Sequence, residues 1–294
     1  MSNSKNILYL ISLILLMLTG CEADSSFAPF PNEGEELVEV RFHAVTVGAS
    51  VDVSRAENHV EKNALANNDQ IGIWNEFYPN VSLTYTEGND PNLKTTNDEI
   101  IYYPLQTEQL KVYAYAPYSE TATNLENNTV NVRSEWEDNV ADEKYIKDPL
   151  WASSTISKTN RTAEFYFKHQ MARLKIHLNN ININQLNSYE IMLVFDRKQR
   201  GTMNLENGNI EPSESNGEYK YYIKHKRILN EGIPTEYDYT ILPGTVLKEI
   251  DVQYSEVGSF IKKYNFKDTG EVKKFQPFVS GNINNIYIDF AQIK

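Results

Sequence analysis

Cysteine is almost missing from this sequence. One Cys in 294 residues permits no intramolecular disulfide and no cysteine-based zinc site, so burial and backbone pairing must hold the fold together. Positive charge is also scarce: 28 Lys and Arg stand against 40 Asp and Glu, a formal net charge of −12. That balance withholds the cationic field that draws proteins onto phosphate backbones, and nucleic acid is excluded as an expected partner. The one long apolar run lies within the first twenty residues, which excludes a polytopic membrane protein. With 40% hydrophobic and 23% charged residues, the composition is globular rather than disordered.

Motifs that carry catalysis are missing too. The five histidines, His43, His59, His169, His177 and His225, form no HExxH pair and no i, i+4 pair, so no metal site is expected. No nucleophile elbow, phosphate loop or dinucleotide fingerprint occurs, and Asp90, Asn92 and Asp98 miss the calcium-loop spacing. Acidic pairs such as Glu35-Glu36 read as solvated faces. The chain is therefore expected to have no catalytic residue, no metal and no cofactor, and reads as a non-enzyme.

What is present begins with an address. Lys5 is the sole charge of residues 1–20, Ile7 to Leu18 is an almost unbroken apolar run, and small residues follow, the pattern of a secretory leader. The run falls short of the about 20 apolar residues that a spanning helix needs. Leu18-Thr19-Gly20-Cys21 resembles the bacterial lipobox, which implies cleavage before Cys21 and acylation of its thiol. Buried acyl methylenes contribute roughly 0.8 kcal/mol each, so two chains hold a membrane where one is marginal. Residues 21–36, with Glu22, Asp24, Glu33, Glu35 and Glu36 around Pro29 and Pro31, read as an extended acidic tether.

Period-two alternation dominates from Leu37 onward. Val38, Val40, Phe42 and Ala44 share one face of the first expected strand, Leu37 to Val47, and Glu39, Arg41 and His43 share the other. Further strands are expected at Gln70 to Trp74, Val81 to Thr86, Glu99 to Tyr103, Gln109 to Tyr115, Thr162 to Phe167 and Met171 to Leu178. After a polar break at Asn179 to Asn187 come Tyr189 to Phe195, Thr202 to Leu205, Tyr219 to Lys224, Glu236 to Leu242, Glu249 to Ser255, Ser259 to Phe266 and Asn285 to Phe290. Two sets of about seven strands predict an all-β chain of two tandem antiparallel β-sandwiches, residues 37–180 and 181–294. Short helices are expected at most around Glu57 to Asn67 and Glu137 to Lys147, where loop is the alternative. Ser119 to Ser157 reads as a long insertion. Nineteen tyrosines read first as aromatic residues on the strand faces of a sandwich; a sugar-stacking platform is the alternative, with Tyr113, Tyr115 and Tyr118 the group to test first.

Several short pieces, in order, resemble the fimbrillin family of pilins and pilus-associated lipoproteins. They are Ser54-Arg55-Ala56, Asp69 to Trp74, Ile101-Tyr102-Tyr103-Pro104, Val112 to Tyr118, Asp148 to Ala152, Phe167 to Leu174, Leu242-Pro243-Gly244 and the closing Phe278 to Ile288. The resemblance implies an outer-membrane lipoprotein of two transthyretin-like sandwiches, placed on the cell surface in a fimbria. It further implies strand exchange with other pilus subunits or with itself after an Arg-directed protease removes the first strand. On these residues the cut falls at Arg55, the excised strand carries Val38, Val40 and Phe42, and the donor strand carries Ile286, Ile288 and Phe290. Burying Val38, Val40 and Phe42 is worth roughly 1.5–3 kcal/mol each, so an emptied groove favours refilling. The reading also needs a removable opening segment: a segment in mid-sheet, hydrogen-bonded on both sides and inaccessible to digestion, would overturn the strand exchange. Only Ala291 to Lys294 follow the last expected strand, so tip, anchor and accessory positions stand beside a stalk. The alternative reading is a surface glycan-binding lipoprotein of a nutrient-uptake system.

Overall fold

The computed structural model describes residues 38–45, 65–137, 144–181, 186–213, 217–226, 234–256, 262–265 and 276–292. The leader, the tether, Leu18, Thr19, Gly20, Cys21 and Arg55 lie outside these residues.

Strands account for nearly all regular structure. The first half carries β1 (Arg41–Ala44), β2 (Gln70–Trp74), β3 (Val81–Tyr85), β4 (Leu93–Thr95), β5 (Gln109–Ala116), β6 (Thr123–Asn124), β7 (Thr129–Arg133), β8 (Ile146–Lys147), β9 (Leu150–Ser157), β10 (Thr162–Phe165) and β11 (Lys168–His169). The second carries β12 (Ala172–Asn179), β13 (Leu186–Phe195), β14 (Arg200–Asn204), β15 (Ile210–Pro212), β16 (Tyr219–Lys226), β17 (Glu236–Ile241), β18 (Leu247–Glu256), β19 (Lys262–Asn265) and β20 (Ile283–Asp289). The all-β class predicted by the alternation is what the structure shows. Among the described residues there is no α-helix, only 3-10 turns such as Glu135–Glu137.

The strands form sheets in the orders β10-β1-β4-β3-β2-β5-β9-β11, β17-β12-β20, β16-β13-β18-β19 and β15-β14-β7-β6, with β8 beside β7. Most pairs are antiparallel, but β1 with β10, β7 with β8 and β12 with β20 run parallel. β12 shows why such segments become strands: Ala172, Leu174, Ile176 and Leu178 are buried, while Arg173, Lys175 and His177 between them stay half-buried. That alternation gives the strand one face for a core and one for solvent.

Two large cores and one small one result. Val40, Phe42, Ile71, Leu83, Val112 and Phe165 belong to the first, and Leu174, Ile191, Phe195, Val252 and Ile288 to the second. The expected division after residue 180 does not coincide with the division between these cores. β12 pairs with β17 and β20 and packs in the second core. The insertion Ser119 to Ser157 is likewise not a plain loop. It carries β6, β7, β8 and β9, and β7 pairs with β14 of the second half to build the third core around Val130, Val132, Met203 and Leu205. The expected strand at Glu99 to Tyr103 is reduced to one bridge, Glu39 to Tyr102.

Candidate functional site

The opening strand is not at a sheet edge. β1 lies between β10 and β4, so its backbone is bonded on both sides, contrary to the removable position that the sequence reading favoured. Toward β10 the amides of Arg41 and Val45 donate to the carbonyls of Arg161 and Phe165 at 3.0 and 2.9 Å. Toward the other wall, Val40 donates to Ile101 at 2.8 Å and the Val38 carbonyl accepts from Tyr103 at 2.7 Å.

That second wall is composite because β4 meets β1 at a single pair, Phe42 opposite Leu93. Extending this antiparallel register by two residues sets Pro91 opposite Ala44, and proline has no N–H to give. Asn92 supplies what is missing: its Oδ1 accepts from the Ala44 amide and its Nδ2 donates to the Ala44 carbonyl, each at 2.8 Å. The sparse pairing leaves a cleft of about 330 Å³ beside the strand, bordered by Glu39 to Phe42 and by parts of the stretch between Asp90 and Ile101, Leu93 to Thr95 and Asp98 to Ile101 among them.

Side chains complete the slot. Val40, Phe42 and Ala44 point into the first core while Glu39 and Arg41 are exposed. The Phe42 and Phe165 rings stack at 6.3 Å with planes 2° apart. Val38 packs half-buried against the same core. The residues expected on the inward face are therefore brought together by β1, β10 and β4.

The last strand sits elsewhere. β20 runs parallel to β12 at the edge of its sheet, with Ile286, Ile288 and Phe290 buried in the second core. These three residues fill their own unit rather than standing free. Tyr287 on the opposite face is 63% exposed and stacks on His177 at 4.7 Å.

The three candidate tyrosines have different fates. Tyr115 is fully buried, its hydroxyl donating to Asn80 Oδ1 at 2.6 Å, which removes it from any surface platform. Burial pushes its pKa up to about 12. Tyr113 is half-buried between Trp74 and Trp151, with Lys111 5.0 Å above its ring. Tyr118 lies half-buried, 6.5 Å from Tyr115. Among the described residues no group of three or more His, Cys, Asp or Glu is placed to hold a metal ion.

A family profile described as fimbrillin-like matches residues 54–294. The chain belongs to the fimbrillin-like family. No curated protein matches it. The fimbrillin-like chain resembles a solved structure described as a putative cell adhesion protein of Bacteroides uniformis, with TM-score 0.58 and 16% identity over 90% of this chain and 96% of that one. A second, from Bacteroides ovatus, bears the same description, with TM-score 0.57 and 16% identity over 87% and 92%. At these identities the likeness is one of fold. The fimbrillin-like profile starts at residue 54, after β1 and just ahead of Arg55.

The sequence missed the composite wall. In sequence Asn92 reads only as a residue that misses the calcium-loop spacing, because its part in holding Ala44 depends on a contact 48 positions away. The signal available was Pro91 followed by Asn in an otherwise strand-like stretch.

Proposed function

We propose that this chain is a structural or adhesive subunit of a cell-surface fibre, exported as a lipoprotein through Cys21 and held at the outer membrane by its acyl chains. Assembly proceeds by strand exchange: an Arg-directed protease cuts at Arg55, the segment carrying Val38, Val40 and Phe42 leaves, and a neighbouring subunit's strand enters. One observation carries the fibre-subunit reading, the fimbrillin-like profile over residues 54–294; the seating of β1 between β10 and the composite wall of Leu93, Asn92 and Ile101 to Tyr103 opposes its departure and sets what the exchange must overcome. A strand bonded on both sides does not leave unaided, because its apolar face and two rows of hydrogen bonds go with it. Once gone, it leaves two unpaired backbone rows and an apolar floor, which only another strand satisfies well. A cut beyond β1 is thus what converts a stable insert into an exchangeable one.

Gold-labelled antibodies against the chain, applied to intact producing cells, test the reading. Label along surface fibres, lost with the fibres or their adhesion when the gene is deleted, is expected. Label confined to the cell interior contradicts it.

A further inference from the structure

Resting on the exchange reading above, we infer that the seat of Ala44 is a size filter. The slot takes an extended segment with the order apolar, any, apolar, any, aromatic, any, small, and it refuses this chain's own last strand. The partner is then a strand of another protein with that pattern rather than β20 of a second copy.

The filter follows from how Ala44 is held. Its residue is 1% exposed and its methyl belongs to the first core. Both of its backbone groups are fixed by one side chain, Asn92, itself 6% exposed. The neighbouring amide of Val45 is held from the opposite side by Phe165. An occupant cannot slide outward at this point to relieve a larger side chain without losing both bonds to Asn92. It must overpack a close-packed core instead. Two residues earlier the slot offers the face of Phe165, which suits an aromatic ring.

Laying the last strand into the slot fails in each arrangement. In the direction of β1, the face of Ile286, Ile288 and Phe290 brings either Phe290 or Gln292 to the Ala44 seat. The opposite face brings Ala291 there but puts Asp289 at the seat of Phe42 and Tyr287 at that of Val40. Reversed in direction, the buried face brings Ile286 or Ile288 to the small seat, and the opposite face sets Tyr287 at the seat of Phe42 only with Asn285 at that of Ala44 and Asp289 at that of Val40. None of these combines a small residue with an aromatic two positions before it.

The test uses the full chain with Cys21→Ser and a specific protease site placed between residues 46 and 64. After cleavage, the nicked protein is challenged with fluorescent peptides: residues 37–47, the same peptide with Ala44→Ser or Ala44→Phe, and residues 282–292. The native and Ala44→Ser peptides should enter comparably, and the Ala44→Phe and last-strand peptides at least about tenfold less. Equal entry of the Ala44→Phe or last-strand peptide overturns the filter and leaves exchange standing. Failure of the native peptide to enter overturns the exchange reading and the filter with it.

Discussion

The indole of Trp136, carried by the long insertion of the first half, lies 4.3 Å from the ring of Tyr239 in the second. Phe195 and Tyr221 flank it at 5.6 and 5.4 Å. Beside it, Glu135 accepts from the amide and hydroxyl of Thr240 at 3.0 and 2.6 Å, and the Ser134 amide donates to Gln199 at 2.8 Å. A short stretch of one half is thereby built into the core of the other, and the two halves share structure beyond a linker. Trp136→Ala should cost about 3–5 kcal/mol, the range for emptying an aromatic site. Urea unfolding followed by tryptophan fluorescence and circular dichroism should show the loss, with one transition in the parent chain separating into two in the variant.

Gly72 and Tyr115 impose a second requirement. A Cβ at position 72 would lie 2.2 Å from Cε1 of Tyr115, and the ring is tied by hydrogen bonds to Asn80 and Ser119 at 2.6 and 3.1 Å. Gly72→Ala should destabilise the fold by about 1–3 kcal/mol, the usual cost of overpacking, through Tyr115 of the third core. A lowered thermal midpoint checks this.

Alkaline pH should weaken the fold through buried tyrosines. Burial raises the Tyr115 pKa from 10.0 to about 12 and raises that of Tyr189 as well. A phenol whose folded pKa exceeds its unfolded one stabilises fully below the unfolded value, and that contribution is lost as pH rises through the folded one. Denaturant midpoints should therefore stay level with respect to these groups up to about pH 10 and fall between about 10 and 12. Tyr115→Phe should be less stable at neutral pH and show a shallower alkaline decline.

Removing the Asn92 amide should loosen the opening strand first. Asn92→Leu leaves the N–H and C=O of Ala44 without their partners, at about 1–3 kcal/mol for each buried orphan. Hydrogen exchange at the Ala44 amide should quicken in this variant more than exchange in β5, which Asn92 does not touch.

The alternation made β2, β5, β13, β18 and β20 legible, because each is long enough for inward and outward residues to declare themselves. β4, β8 and β11 span two or three residues and exist through the neighbours they pair with, which periodicity cannot register. β7 was hidden for another reason. Its Thr-Val-Asn-Val-Arg run alternates correctly, but its partner β14 lies about 70 positions later, and the polar residues around it made the region look like a loop. The inward face of β1 was legible residue by residue, whereas its two-sided seating depended on the distant Asn92 and Phe165. Tyr115 is buried, as the strand-face reading of the tyrosines has it, but a buried tyrosine and a sugar-stacking one look alike in sequence, so Tyr113 and Tyr118 could not be told from it.

The amino terminus of the chain in fibres taken from producing cells tests the central claim most directly. Mass spectrometry of that material should find the chain beginning at Ala56, with residues 37–47 absent and another protein's strand in their place. Fibres built from chains that still carry Cys21 and an uncut β1 would contradict exchange at this slot.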